Sequence, residues 1–207
     1  MVSKRTVIVD YGVGNLMSIK RSLEKFGVTV EISSNPEQIR IASRLVLPGV
    51  GAFPRAMHEL SRLNLIDSVK EFIGSGRPVL AICLGAQILL DFSEEIERTN
   101  GLGIIEGEVI AIPNLDSFGN SLKVPHIGWS KTTSTNETQD LFLDGEFYFV
   151  HSYMLSLKNS KNVAANTNYG NISIPAVIQR DNLVGCQFHP EKSGTDGLQF
   201  IESFLLK

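Results

Sequence analysis

Apolar positions in the first half of the chain follow two alternating rhythms. Short runs rich in β-branched residues (Thr6 to Val9, Val28 to Ile32, Arg44-Leu-Val-Leu47 and Pro78-Val-Leu-Ala-Ile82) read as buried strands. Between them, apolar residues recur at helical spacing over Asn15 to Phe26, Pro36 to Ile41, Pro54 to Ile73 and Gly85 to Leu90. Strands joined by short helical crossovers predict an α/β domain with a parallel sheet covered by helices on both faces. After about residue 103 the rhythm changes. Ile104 to Ile112, Glu146 to Val150, Val163 to Thr167, Ala176 to Gln179 and Leu183 to Phe188 read as strands without intervening helices, an antiparallel extension of the sheet. The chain closes on an amphipathic stretch, Gly197 to Leu206, with Leu198, Ile201, Phe204 and Leu205 on one face. The polar segment Ser130 to Gln139 reads as a mobile loop. No repeat or low-complexity stretch interrupts a single domain over residues 1–207, with room for a small lobe.

Composition narrows the partners. A 43% hydrophobic chain of this length can bury a full core. Its net charge of −3, spread without long runs, offers no footprint for nucleic acid and favours a small molecule or a protein as partner. Two cysteines make no disulfide framework, so a reducing compartment is expected. The apolar run after Ser3-Lys-Arg is shorter than the roughly 7–15 residues of a signal peptide. Nothing approaches a membrane span of about 20 apolar residues, and the expected location is cytoplasmic.

Candidate chemistry lies at strand ends, where open α/β sheets bind ligands. Cys83 follows a strand and is flanked by Ala81 and Gly85, a small-residue spacing that permits a sharp strand-to-helix elbow. Such a turn exposes sulfur at a helix N-terminus, where the thiolate is favoured. Alone, Cys83 reads more readily as buried core than as a nucleophile. His189-Pro-Glu191 also follows a strand; it offers a base and a carboxylate to orient it, with Pro190 restricting His189 to an extended backbone. On its own it is a surface turn with an ion pair. Leu47-Pro-Gly-Val-Gly-Ala-Phe53 is either a structural turn or a loop whose backbone N–H groups meet an oxyanion. Gly12 and Gly14 resemble the start of a dinucleotide fingerprint, but its third glycine falls on Met17. His58 reads as solvated, and His126 and His151 as packed, hydrogen-bonded histidines. The spacing of four histidines and two cysteines predicts no metal site, and no cofactor is expected. Asn136 and Asn171 match the glycosylation pattern, without consequence for a cytoplasmic chain.

Taken together, Asp10-Tyr-Gly-Val-Gly-Asn15, the Pro-Gly-Val-Gly turn, Ile82-Cys-Leu-Gly-Ala-Gln87, Ser93-Glu-Glu95, Val124-Pro-His-Ile-Gly-Trp129, Phe147-Tyr-Phe-Val-His-Ser-Tyr153 and Gln187-Phe-His-Pro-Glu-Lys-Ser193 occur in an order that resembles the class I (triad) glutamine amidotransferases. Among these, Pro-Gly-Val-Gly, Pro-His-Ile-Gly-Trp and Val-His-Ser-Tyr resemble most the glutaminase subunits of imidazole glycerol phosphate synthase. That resemblance covers nearly the whole chain. It implies a flavodoxin-like, mostly parallel sheet and a Cys83, His189, Glu191 triad that hydrolyses glutamine through a thioester. It also implies an oxyanion hole from Leu84 and Gly49, Val50 and Gly51, substrate contacts from Gln87 and Glu95, and a heterodimer with a TIM-barrel synthase (HisF-like) that receives the ammonia. Trp129 and Lys192 match positions facing that partner, and Asn15 matches one near the interface and the oxyanion loop. Ala81, Ala86 and Ser130 depart from the residues usual in the family. They leave open a sister subunit that feeds another synthase, such as a sugar-amidinating enzyme; a non-catalytic binding module is the alternative of a different class.

Overall fold

The computed structural model describes residues 5–135 and 141–207. Its first half runs β1 (Thr6–Val9), α1 (Leu16–Glu24), β2 (Val30–Ser33), α2 (Pro36–Arg40), β3 (Arg44–Leu47), α3 (Phe53–Arg62), α4 (Ile66–Gly74), β4 (Val79–Ile82) and α5 (Leu84–Gln87). There follow β5 (Phe92–Ser93), β6 (Thr99–Asn100), β7 (Gly107–Ala111), β8 (His126–Ser134), β9 (Gly145–His151), β10 (Tyr153–Leu157), β11 (Val163–Tyr169), β12 (Ile172–Arg180), β13 (Leu183–Cys186) and α6 (Gly194–Leu205). Local chemistry starts the helices. Asn15 caps α1 by accepting from Ser18 N, and Asn35 caps α2 from Glu37 N with Pro36 in the first turn.

Nine strands form the main sheet in the order β2-β1-β3-β4-β13-β12-β11-β8-β9. The first five pair in parallel and the rest antiparallel, as the change of rhythm predicts. The order of the parallel half is that of a flavodoxin-like sheet. Successive residues of its strands point to opposite faces. Val7, Val9, Leu45, Leu47, Val79 and Ala81 join one apolar layer beneath α2, α3 and α4; Ile8, Val46, Leu80 and Ile82 join the other beneath α1 and α6. The second layer ends in an aromatic stack in which Phe188 lies 4.0 Å from Phe147 and 5.1 Å from Phe200 between ring centres.

Four expectations change. The stretch from Pro54 to Ile73 is two helices, because Asn64 adopts φ +56° between α3 and α4. Ser130 to Ser134 is not loop: these residues end β8, which pairs with both β9 and β11. The strand within Ile104 to Ile112 leaves the main sheet and, as β7, builds a second sheet in the order β10-β7-β5-β6. The last strand stops at Cys186, so Gln187 to His189 lie beyond it. The rest of the polar segment, Asn136 to Gln139, lies outside the described residues, as do the Asn136 glycosylation pattern and Ser3-Lys4. Among the described residues no helix is long and apolar enough to cross a membrane.

Candidate active site

β4 and β13 run side by side with Ile82 opposite Cys186, and the Cys83 N–H donates to the Cys186 carbonyl at 2.7 Å. This pairing carries the two sequence-distant segments to one end of the sheet. Immediately past β4 the chain reverses into α5, and Cys83 takes φ +52° and ψ −111°, a conformation that L-residues rarely adopt. Holding it costs on the order of 1–3 kcal/mol, which the packing around it must offset. The turn is so tight that a Cβ on Gly85 would lie 2.1 Å from the Leu47 carbonyl oxygen, and one on Gly49 2.6 Å from Gly85 N. Only glycine fits at either place. Buried Tyr11, just past β1, donates its hydroxyl to the Pro48 carbonyl and anchors the same turn, and burial pushes its phenol pKa well up.

Beyond β13 the chain is clamped by β9. His189 N–H donates to the Tyr148 carbonyl, Tyr148 N–H donates to Ser193 Oγ, and the Ser193 hydroxyl donates to the His189 carbonyl. His189 is extended at φ −104°, as Pro190 requires, and the following residues, Pro190–Lys192, form one 3-10 turn. The turn brings Glu191 Oε1 to 2.9 Å from His189 Nδ1, with both side chains almost fully buried. Nε2 has no hydrogen-bond partner among the described residues, so it is the nitrogen free to serve a thiol. Burial alone would lower the His189 pKa, but Cys83 and Glu191 outweigh it and lift it to about 10. Cys186 is the inert cysteine: its Sγ donates to the Phe188 carbonyl at 3.5 Å, and burial pushes the thiol well up.

Cys83 opens on a cavity of about 420 Å³. Of the residues expected at a site, Val50, Gly51, Leu84, Gln87, Glu95 and Lys192 line it. His189 and Glu191 are not among the lining residues. Gly49 is wedged against Leu84 and Gly85, and Asn15 is exposed at the cap of α1. Trp129 stands outside the cavity, 56% exposed, with its ring edge-on to Tyr148, over which Lys192 Nζ also lies. Glu95 Oε2 accepts from the Phe53 N–H at 2.8 Å, leaving the other oxygen uncommitted. Gln87 donates its amide N–H groups to the Tyr153 carbonyl and to Gln187 Oε1, so only its oxygen is left for a ligand.

The other wall was not legible as part of a site. Pro125, Val150, His151, Ser152 and Tyr153 come from the antiparallel half, and only their place in family-like motifs singles them out. His126 and His151 are packed and hydrogen-bonded to each other at 3.0 Å, and burial lowers both to about 4. His58 is exposed beside Glu59, as expected. Among the described residues no group of three His, Cys, Asp or Glu side chains is placed to hold a metal ion.

The Glutamine amidotransferase class-I family matches residues 7–207. Imidazole glycerol phosphate synthase subunit HisH 1 of Legionella pneumophila (strain Lens) is 47% identical over 206 residues, which cover 96% of this chain and 97% of the relative. The HisH subunit of Lactococcus lactis subsp. lactis (strain IL1403) is 42% identical over 205 residues, 98% of each chain. Among solved structures, PurLQS from Thermotoga maritima matches with a TM-score of 0.75 over 100% of both chains at 19% identity. A structure described as glutamine amidotransferase matches at 0.74 over 97% of both at 18% identity. These two likenesses speak for the fold alone. From the family match and the close relatives, the chain belongs to the class I glutamine amidotransferases, among the HisH subunits of imidazole glycerol phosphate synthase.

Proposed function

We propose that this chain is the glutaminase subunit of an imidazole glycerol phosphate synthase, hydrolysing glutamine to glutamate and ammonia at Cys83. The observation that carries the reading is the strained Cys83 elbow opening on a cavity, with a buried His189–Glu191 ion pair in which Cys83 helps to raise the pKa of His189. His189 Nε2 takes the thiol proton, and the sulfur attacks the side-chain carboxamide carbon of glutamine. The developing oxyanion meets backbone N–H groups of Leu84 and of the turn at Val50 and Gly51, residues that line the same cavity. As the C–N bond breaks, the imidazolium passes its proton to the leaving nitrogen and ammonia departs. Water, deprotonated by His189, then cleaves the γ-glutamyl thioester, and glutamate leaves with the thiol restored. Glu191 holds Nδ1–H and stabilises the imidazolium. The uncommitted oxygens of Gln87 and Glu95 suit the ammonium group of the substrate.

The partner belongs to the same proposal. The relatives' name is that of a synthase subunit, and the reading supplies a TIM-barrel synthase, HisF-like, that binds over the cavity mouth and takes the ammonia. Asn15, Trp129 and Lys192 are its candidate contacts, and Trp129 and Lys192 share one patch around Tyr148. The test is glutamate release by the wild-type chain and by Cys83→Ala, with and without the barrel subunit. Activity is expected to require Cys83 and to rise on adding the barrel. Turnover that survives in a folded Cys83→Ala chain would end the assignment. Co-purification from the native cell with the barrel of a different synthase would end the imidazole glycerol phosphate synthase reading while leaving the chemistry.

A further inference from the structure

We propose that Gln187 is a further catalytic residue of this site: its side-chain N–H holds the negative charge of the Cys83 sulfur, and Gln87 keeps it turned that way. The proposal rests on the reading of Cys83 as nucleophile.

The orientation follows from one group that can only accept. The Tyr153 carbonyl lies 3.0 Å from one end of the Gln87 amide, so that end is nitrogen. The same nitrogen is 3.2 Å from the Gln187 amide, and because it only donates, Gln187 must present oxygen there. The Gln187 nitrogen is thereby turned to the other side, 3.6 Å from Cys83 Sγ, within reach of a hydrogen bond to sulfur. Gln187 is fully buried and Gln87 nearly so, which leaves little water to compete. The carbonyl is held from a second side. His151 Nδ1–H donates to it at 2.9 Å, His126 Nδ1–H donates to His151 Nε2, and the Ser130 hydroxyl donates to His126 Nε2. Reversing any member would set donor against donor or acceptor against acceptor, so the network has one polarity.

No proton leaves Gln187 in this role. The thiol proton still goes to His189, and as the S–C bond forms, charge leaves the sulfur and the N–H···S bond weakens. Gln187 therefore acts on the thiolate before attack. A stabilised thiolate is more abundant but less reactive, with a Brønsted slope of about 0.4–0.5, so a tenfold gain in population costs about threefold in reactivity. The gain wins where the thiolate is scarce and the loss wins where it is complete. Removing the donor must give pH–rate curves that cross, which a merely structural role would not produce.

The experiment alkylates the full-length chain with iodoacetamide over a pH series that spans the titration of Cys83, following modification of Cys83 by mass, with Cys83→Ala giving the background from buried Cys186. Gln187→Met is expected to react about threefold more slowly than wild type on the acid limb of that profile and about threefold faster on its alkaline plateau. Gln87→Met, which leaves the Gln187 amide free to turn, is expected to cross in the same sense with a smaller amplitude. If Gln187→Met does not fold, the Gln87→Met profile decides alone. Uniform slowing across the pH series, or curves that coincide with wild type, would overturn the role of Gln187 and leave Cys83 in place. A wild-type Cys83 that reacts no faster than the background would overturn the nucleophile reading as well.

Discussion

Glu191 sits with its carboxylate out of solvent and one oxygen on His189 Nδ1, so its charge acts on the imidazole with little screening. Glu191→Gln can keep an acceptor there but not the charge, and glutamine turnover is expected to fall by about 10²–10⁴ with KM little changed, measured as glutamate release at saturation. The histidines also write opposite pH dependences into stability. The His189 pKa is raised to about 10, so the native state holds its proton where the unfolded chain has lost it. That contribution is whole below about 6.5 and disappears as the pH rises through about 10. His126 and His151 are lowered from 6.5 to about 4, so the unfolded chain binds protons that the native state refuses, and stability is lost as the pH falls through that window. Urea unfolding is expected to weaken between pH 6.5 and 4 with a slope of up to about 1.4 kcal/mol per pH unit for each histidine. His151→Gln should flatten the slope, and an unchanged slope would show that these two groups do not set it. At this scale the sequence spoke clearly where chemistry is local. Cys83, His189 and Glu191 follow strands beside small residues or proline, and the structure brings them together. Gln187 was silent, because its direction is decided by a carbonyl of Tyr153 that no spacing along the chain connects to it.

The two turns at the site interlock as backbone against backbone. A Cβ at Gly85 would meet the Leu47 carbonyl oxygen at 2.1 Å and its carbon at 2.9 Å, neither of which can swing aside. Gly85→Ala must therefore separate β3 from the β4–α5 elbow, and a loss of about 2 kcal/mol or more is expected in thermal or urea unfolding. Gly51 gives the contrast. Its φ of +120° is strained for other residues, yet a Cβ there meets nothing within 4 Å. Gly51→Ala is expected to keep most of the stability and lose glutaminase activity, because the strain is relieved by turning a peptide of the loop that lines the cavity. Equal stability losses in the two variants would refute this distinction between clash and strain. Elements were legible in the same uneven way. The parallel half announced itself through short β-branched runs between helical stretches, and β3 and β4 follow those runs closely. β8 did not, since Ser130 to Ser134 looks like loop by composition and is strand because β9 and β11 both pair with it. The break at Asn64 was hidden by an apolar pattern that continues across it on both α3 and α4.

The whole molecule places its site at a seam. The parallel half supplies the Cys83 elbow and the glycine turn, the segment just past the strand that joins the halves supplies His189 and Glu191, and the antiparallel half supplies the opposite wall from Pro125 and Val150 to Tyr153. Each half alone leaves the cavity open on one side. Around its mouth the surface is more apolar than solvent exposure favours. Val50 is 40% exposed at the cavity and Trp129 is 56% exposed on β8, joined to the rim through Tyr148 and Lys192. A large aromatic left standing beside the mouth of the candidate site is the residue type that dominates binding energy when a partner covers it. Trp129 packs edge-on against Tyr148 and borders Gly194 without entering either apolar core layer, so the fold has little need of its indole. Trp129→Ala is expected to leave the circular dichroism spectrum and thermal midpoint close to wild type, yet to weaken binding of the barrel subunit by about tenfold or more in calorimetric titration. Trp129→Phe should recover part of the loss by restoring an aromatic face. Undiminished affinity in a folded Trp129→Ala chain would move the docking face away from the cavity mouth, and with it the route by which ammonia is handed on.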